Sequence, residues 1–109
     1  MEKYWTEISD IAKLDIRDIA AYIENEFKEP VIAENTANSI LDAIFTLEEM
    51  PDRIGLVKDE RLANKGIRPL YVKNYTVFFR IDESRIVMSK KVVDVVRVLY
   101  SRRDWASIL

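Results

Sequence analysis

Apolar residues recur at the period of a helix in the first half of the chain, over residues 16–27 and again from residue 33 to about residue 50. Charged residues fill the opposite positions, so each stretch predicts an amphipathic helix that buries its apolar stripe. Ser9 or Asp10 would begin the first helix, because a short side-chain oxygen can accept from the free amides of a first turn. Pro30 ends that helix and is tolerated at the start of the next, which predicts a helical hairpin.

The second half is dominated by β-branched and aromatic runs that favour strands. Lys73 and Asn74 would form a tight hairpin turn between two of these runs. Residues 51–66 indicate an irregular connection, and residues 82–91 a longer polar, basic loop or an extension of a hairpin. Residues 104–109 could form a short C-terminal helix. The predicted strands are residues 3–8, 67–72, 75–81 and 92–100.

The order β-α-α-β-β-β predicts an α+β fold, in which an antiparallel sheet packs on the helical hairpin. The length of 109 residues is that of one domain, so residues 1–109 are expected to form a single unit. Because the hairpin covers only one side of the sheet, we expect the other face to be open to a partner.

The chain contains no cysteine and no histidine. A disulfide framework, a thiolate metal site and histidine acid–base chemistry are therefore excluded, and we expect neither a metal nor a cofactor. No apolar stretch approaches the roughly 20 residues that span a bilayer, and the acidic N-terminus does not resemble a signal peptide. A cytoplasmic protein without a membrane partner is the expectation.

Charge is distributed unevenly between the two halves of the chain. Residues 1–52 hold 4 Lys/Arg against 13 Asp/Glu, a net charge of −9, and residues 53–109 hold 13 against 6, a net charge of +7. The basic half would suit a polyanion such as nucleic acid, or an acidic protein segment. Alternatively, the two halves neutralise each other within the fold.

Two arginines, Arg80 and Arg97, stand inside apolar strand runs. Burying an unpaired charge is costly, so each must either be paired or face outward. In neighbouring strands the two guanidinium groups could line one surface and bind phosphate. Alternatively each forms an ion pair within the protein. The acids that could pair with them are Asp82, Asp94, Asp15 and Asp18.

Three segments in this element order carry a family resemblance. They are Gly-Ile-Arg-Pro-Leu at 66–70, Asn-Tyr-Thr-Val-Phe-Phe-Arg-Ile-Asp-Glu at 74–83, and Arg-Val-Leu-Tyr-Ser-Arg-Arg-Asp-Trp at 97–105. The chain resembles the RelE/ParE superfamily, the toxins of type II toxin–antitoxin (plasmid stabilisation) systems. The resemblance implies a cognate antitoxin partner, and possible assembly of the two proteins on operator DNA. The stretch at 84–91 is longer than the compact hairpin usual in the family.

The family contains two activities, which imply different targets. RelE-like members cleave mRNA on the ribosome without a metal, by attack of a ribose 2′-hydroxyl on the adjacent phosphate. That reaction needs a group that moves a proton and cations that stabilise the developing charge. ParE-like members inhibit DNA gyrase. Thr76 stands where the ribonucleases carry an arginine after the position of Tyr75, which favours gyrase inhibition and leaves a divergent endoribonuclease as the alternative.

The resemblance and the charge pattern together nominate the site residues. Arg68 matches a basic position on the first strand of the hairpin, and Arg102 or Arg103 matches the arginine near the C-terminus, with the register uncertain by one. These three are the catalytic candidates. Two non-toxin readings stay open, a non-catalytic nucleic-acid-binding module and a protein that only docks partners. The candidates for binding the target or nucleic acid are Lys65, Tyr75, Arg80, Arg97 and Tyr100; Tyr75 and Trp105 could instead serve packing.

Overall fold

A computed structural model describes residues 2–109 and confirms the α+β fold with a helical hairpin. Two single-turn 3₁₀ helices, Thr46–Glu48 and Pro51–Arg53, follow the second helix. In this part of the chain no helix combines the length and apolar character needed to cross a bilayer. The elements are β1 (Tyr4–Ile8), α1 (Asp10–Phe27), α2 (Pro30–Phe45), α3 (Glu60–Ala63), β2 (Arg68–Val72), β3 (Tyr75–Val87), β4 (Lys90–Tyr100) and α4 (Trp105–Ile108).

The four strands form one sheet in the order β1-β4-β3-β2. The β2–β3 and β3–β4 pairs are antiparallel, as expected, and the turn at Lys73 and Asn74 joins β2 to β3. One detail differs from the expectation of an antiparallel sheet, because β1 runs parallel to β4. The helical hairpin follows β1, and such a long connection lets the chain build a parallel neighbour.

Local hydrogen bonds set the ends of the helical hairpin. Ser9 caps α1, because its Oγ accepts from the N–H of Ala12 at 3.0 Å. The second helix ends at Phe45 rather than near residue 50. Its last carbonyl groups accept from Thr46, whose N–H donates to Asp42, Ala43 and Ile44 and whose hydroxyl donates to Ala43 at 2.6 Å. Arg53 then holds the following turn, since its guanidinium group donates to the carbonyl oxygens of Thr46 at 3.4 Å and Glu49 at 2.7 Å. Hydrophobic periodicity does not report these local hydrogen bonds.

The main core lies between the helical hairpin and one face of the sheet. Strand residues that alternate along β3 and β4 meet the apolar stripes of both helices. The largest members are completely or almost completely buried, so the amphipathic prediction for the two helices holds. The core includes Ala12, Ile16, Ile40, Ile44, Leu47, Val77, Phe79, Val93, Val95 and Val98.

The opposite face of the sheet, called the outer face below, is partly covered rather than open. A second apolar cluster forms there around Phe78 and Leu99. Trp105 of α4 packs on Phe78 with ring centroids 5.1 Å apart. Helix α3, which Asp59 caps through the N–H of Leu62 at 3.0 Å, supplies the other cover. The segment 51–66 is therefore more ordered than an irregular connection.

Strands β3 and β4 extend far beyond β2 as a long hairpin, which confirms the hairpin-extension alternative for residues 82–91. The ladder is interrupted between Asp82 and Ile86, where β3 contains extra residues. The turn consists of Met88 and Ser89, both with positive φ, 49° and 66°. Two central residues with positive φ define a type I′ turn, the connection that matches the strand twist.

Candidate functional site

A β-bulge places Arg80 and Arg97 in different surroundings. Arg80 follows Phe78 by two residues in β3 and shares its side, the outer face. Phe78 pairs with Arg97, whereas Phe79 pairs with Val95, so β4 holds one extra residue at this point. The extra residue shifts the alternation of side chains in β4. The two arginines consequently do not line one surface, contrary to the expectation from the sequence.

Arg97 is committed to an ion pair with the first helix. Its Nε and Nη2 atoms donate to the two carboxylate oxygens of Asp15, at 2.8 and 2.9 Å. The backbone N–H of Val98 donates to the same carboxylate at 2.9 Å. This hydrogen bonding with Asp15 holds the pKa of Arg97 above its usual value. Arg97, which the sequence nominated for binding, therefore forms an ion pair within the protein instead.

Arg68 lies away from the outer face. It lies on the same side of β2 as Leu70 and Val72, which both pack into the core beneath the helices. Its guanidinium group donates to the backbone carbonyl of Ile54. The contact ties the segment after the helical hairpin to the start of β2, which gives this catalytic candidate a structural use.

Three of the other candidates line a groove between α1 and the end of β4, called the α1–β4 groove. They are Tyr75, Tyr100 and Arg103, and the cavity measures about 760 Å³. The rings of Tyr75 and Tyr100 meet edge to face, with centroids 5.9 Å apart. Tyr22 and Phe27 form the matching wall on α1, with centroids 5.8 Å apart. The groove is therefore largely aromatic.

The floor of this groove is a free sheet edge. Strand β1 accompanies β4 only as far as Val95, and no strand in residues 2–109 continues beyond it. Ser101 donates to the carbonyl of Asn74, which makes Tyr75 and Tyr100 a non-hydrogen-bonded pair. The N–H of Tyr100 consequently points away from β3 and into the groove. The N–H of Val98 and the carbonyl of Tyr100 on this edge are bonded by Asp15 and by the N–H of Arg103, so only its remaining groups are open to an added strand.

Tyr75 is a poor candidate for a general base. Burial raises the pKa of its hydroxyl above the ordinary value, and the neighbouring Tyr100 and Tyr22 raise it further. The hydroxyl group consequently stays protonated at neutral pH, where it can donate a hydrogen bond but cannot take up a proton.

Lys65 and Arg80 share a second cavity on the outer face, called the outer-face pocket, of about 490 Å³. Arg80 has carboxylate oxygens of Asp82 and Asp94 at 3.8 and 3.6 Å. Both distances exceed those of a hydrogen bond. The pocket thus joins two cations that the sequence nominated for binding. Its apolar lining consists of Leu62, Ile67, Val96 and Leu109.

The remaining candidates lie after β4. Arg102 and Arg103 are exposed, and Arg103 alone reaches the α1–β4 groove. Thr76 is 2% exposed, and its hydroxyl is 2.8 Å from that of Ser101. The position that carries an arginine in the ribonucleases is therefore closed to solvent here. The fold thus divides the nominated residues between the groove, the outer-face pocket and two structural contacts, and leaves Arg102 exposed outside all of them.

Some surface residues escaped the sequence analysis. The helical period of residues 16–27 predicts that Phe27 is buried. It is 61% exposed instead, because it stands at the last position of α1. Tyr22 and Tyr71 are also exposed, Tyr71 on the outer face. The sequence does indicate this exposure, because Phe27 stands directly before Lys28 and Pro30, where the helix ends and its apolar face no longer meets the core.

Comparison with known families agrees with this geometry. The model of a family described as the ParE toxin of the type II toxin–antitoxin system parDE matches residues 6–105. The chain belongs to the ParE toxin family. As a ParE-family protein it is a toxin of a type II toxin–antitoxin system, within the wider RelE/ParE superfamily. A search of curated proteins finds no significant match.

Solved structures share the fold of this ParE-family chain. The chromosomal ParDE toxin–antitoxin system from P. aeruginosa has a chain with a TM-score of 0.70 and 15% identity, covering 90% of this chain and 96% of that one. The toxin–antitoxin complex RelBE2 from Mycobacterium tuberculosis has a chain with a TM-score of 0.57 and 17% identity, covering 90% and 98%. At these identities the likeness concerns the fold.

Proposed function

We propose that this ParE-family toxin arrests growth by inhibiting DNA gyrase, without nuclease chemistry. The observation that supports the proposal is the dispersal of the basic residues nominated for catalysis or binding. Arg68 donates to a backbone carbonyl on the helical side, and Arg103 lines the α1–β4 groove. Lys65 and Arg80 are on the outer face, away from both.

RNA cleavage would need a proton acceptor and cations around one phosphate. Thr76 is buried against Ser101, and Tyr75 keeps its proton at neutral pH. Arg97 is held by Asp15. The remaining exposed cations can contribute to binding, and inhibition of a protein target requires only binding. The ParE family match favours the same target class.

The second part of the proposal is a cognate antitoxin, which occupies the α1–β4 groove. The similar structures come from toxin–antitoxin systems, ParDE and RelBE2. The groove offers exposed aromatic walls, Tyr22 and Phe27, beside a free edge of β4. Peptides commonly bind such surfaces by adding a strand or by laying an amphipathic helix in the groove. A segment of this kind is often disordered before it binds.

A supercoiling assay with purified gyrase tests the target. We expect the toxin to inhibit supercoiling, and we expect the ends of mRNAs in intoxicated cells to remain those of untreated cells. The Arg102→Ala, Arg103→Ala variant should lose inhibition at low dose and regain it at higher dose, because a binding contact rather than a chemical step is removed. Its free energy of unfolding should change by less than about 0.5 kcal/mol, as at other exposed sites.

The same experiment distinguishes the alternatives. New mRNA ends at ribosome-protected codons, with normal supercoiling, would establish the endoribonuclease. In that case the arginine variant should lose about 10³-fold or more in rate, as when an arginine that stabilises a transferring phosphate is removed. Salt-dependent binding to any single strand, without either effect, would establish a nucleic-acid-binding module. A variant of the exposed pair Lys13 and Arg17, changed to alanine, is the charge-matched control.

A further inference from the structure

Arg80 differs from the other arginines of the sheet. Within residues 2–109 its guanidinium group makes no hydrogen bond, and its side chain is 46% exposed. Guanidinium groups have five N–H donors that match a carboxylate in a bidentate fork. The other sheet arginines use theirs within the protein: Arg68 on the carbonyl of Ile54, Arg85 on Glu7 and Asp94, and Arg97 on Asp15.

The two carboxylates beside Arg80 are engaged elsewhere. Asp82 accepts from the N–H and the hydroxyl of Ser84, at 3.1 and 2.6 Å. Asp94 accepts from Nη1 of Arg85 at 2.8 Å. Those bonds use Oδ1 of each carboxylate, and the other oxygen, Oδ2, lies 3.6 to 3.8 Å from Nη2 of Arg80, beyond hydrogen-bond distance. The donors of Arg80 remain available to a ligand that enters the outer-face pocket.

The surroundings of Arg80 select the charge of that ligand. Asp82 and Asp94 stand next to the guanidinium group and repel each negative charge that approaches, so several consecutive phosphates are disfavoured more than one carboxylate. Nucleic acid binds where positive charge accumulates over several phosphates. Here the acids and bases alternate, and only Lys65 adds a second cation to the pocket. This nearly neutral mixture of two cations and two carboxylates suits one added carboxylate better than the many charges of a nucleic-acid backbone.

The apolar lining of the pocket indicates which side chain lies next to the bound carboxylate. Leu62, Ile67 and Val96 line it, and Leu109 forms another side. A cavity of about 490 Å³ accepts an apolar side chain beside the acidic group. We propose that the outer-face pocket binds an acidic side chain of the toxin's protein target, with a neighbouring apolar side chain on the pocket floor. This inference rests on the proposed function, because it requires that the target of the toxin is a protein.

A titration followed by NMR tests the chemistry of the pocket without gyrase. The probe is the capped tripeptide acetyl-Leu-Asp-Leu-amide, added to the isotope-labelled full chain. We expect shifts at the Arg80 Nε–H signal and at the Gly66 and Val96 amides. The matched peptide with Asn in place of Asp and a short oligothymidylate should leave them unchanged. Equal shifts with the Asn peptide, stronger shifts with the oligonucleotide, or no shifts with any probe would overturn the inference.

The role in target binding is tested with Lys65→Gln, Arg80→Gln. We expect the toxin concentration for half inhibition of supercoiling to rise about tenfold, which corresponds to the loss of one charge-assisted hydrogen bond. Lys13→Gln, Arg17→Gln removes the same charge from exposed sites on α1 and should leave inhibition unchanged. Inhibition by the pocket variant at the wild-type concentration would refute the inference. A wild-type protein that leaves gyrase active would instead refute the proposed function, while the peptide titration still decides the pocket.

Discussion

Asp15 joins the first helix to the end of the sheet through three hydrogen bonds, two from Arg97 and one from the backbone of Val98. It is 11% exposed and Arg97 is 24% exposed, so the pair is partly shielded from water. Removing one partner of such a pair leaves the other charge poorly solvated, which is the larger part of the cost. The pair also satisfies an N–H on a strand edge that no neighbouring strand covers.

We therefore expect Asp15→Asn to lower the free energy of unfolding by about 2 kcal/mol, since the amide keeps the shape but loses the charge. Asp18→Asn is the matched control, an exposed carboxylate one turn further along the same helix, and should change stability by less than about 0.5 kcal/mol. Urea unfolding at neutral pH measures both. Similar losses from the two substitutions would contradict a special role for Asp15.

Sequence analysis could list the acids that Arg97 might pair with but could not choose among them. Asp15 and Arg97 are 82 positions apart, and their contact depends on how the helix crosses the sheet. The same limitation applied to Arg68, whose partner is a backbone carbonyl and has no sequence signal. The residue types thus predicted that a charge inside a strand is either paired or faces outward. Which residue pairs with it depended on the tertiary structure.

The long β3–β4 hairpin shows where element prediction succeeded and where it stopped. The sequence predicts that one strand ends at residue 81 and the next begins at residue 92. The polar residues between them hide the alternation of apolar and polar side chains that marks a strand. In the structure three of those residues, Glu83–Arg85, form the irregular part of β3, and the ladder resumes at Ile86. Arg85 fixes this irregular part by bonding Glu7 of β1 at 2.8 Å. A bulge of this kind interrupts a pattern without ending the strand.

The turn of this hairpin contains strain that can be relieved. Met88 and Ser89 both adopt positive φ, although asparagine and glycine are the preferred residues of a type I′ turn. A left-handed conformation costs a residue other than glycine roughly 1 kcal/mol or more. We expect Met88→Asn with Ser89→Gly to raise the free energy of unfolding by about 1 kcal/mol. Thermal or urea unfolding measures the gain.

Lys90→Gly, one position beyond the turn, is the control for that experiment. At this first position of β4 glycine loses more conformational freedom on folding than lysine, so this variant should lose up to about 0.5 kcal/mol while the turn variant gains stability. A loss of stability in the turn variant would mean that Met88 and Ser89 make contacts that outweigh the backbone strain.

In the whole molecule, the two candidate surfaces lie on different sides of the sheet. The α1–β4 groove and the outer-face pocket share no lining residue. The sequence predicted the main core well because its two helices are long enough to show a period. It predicted α4 as a short C-terminal helix, which the structure confirms, but not its packing on the outer face, and it missed α3, whose four residues are too few for a pattern.

The groove assignment is testable with the cognate antitoxin. We expect the antitoxin's binding segment to be cut by protease when free and protected in the complex, because it orders on binding. Expression of the toxin alone should arrest growth, and co-expression of the antitoxin should relieve the arrest. Tyr22→Ser with Phe27→Ser should weaken the complex about tenfold or more, since exposed aromatic anchors dominate many interfaces.

Ile86→Ser with Met88→Ser provides the control, because it removes two similarly exposed apolar side chains far from the groove in the fold. That variant should keep full protection of the antitoxin segment. Equal cleavage of the antitoxin in its free and bound states would argue against a segment that folds on binding. Full protection in the Tyr22 and Phe27 variant would locate the antitoxin elsewhere on the toxin.

The β-bulge in β4 also has a consequence for comparing this chain with its relatives. One extra residue in a strand is an insertion that alters the numbering of every later position without lengthening a loop. Against a relative without the bulge, an alignment that omits a gap opposite Val96 would shift Arg102 and Arg103 by one position. Deleting that one residue would restore the two-residue alternation and turn Arg97 from Asp15 toward the outer face, while Val98 and the later residues would keep their pairing with β3.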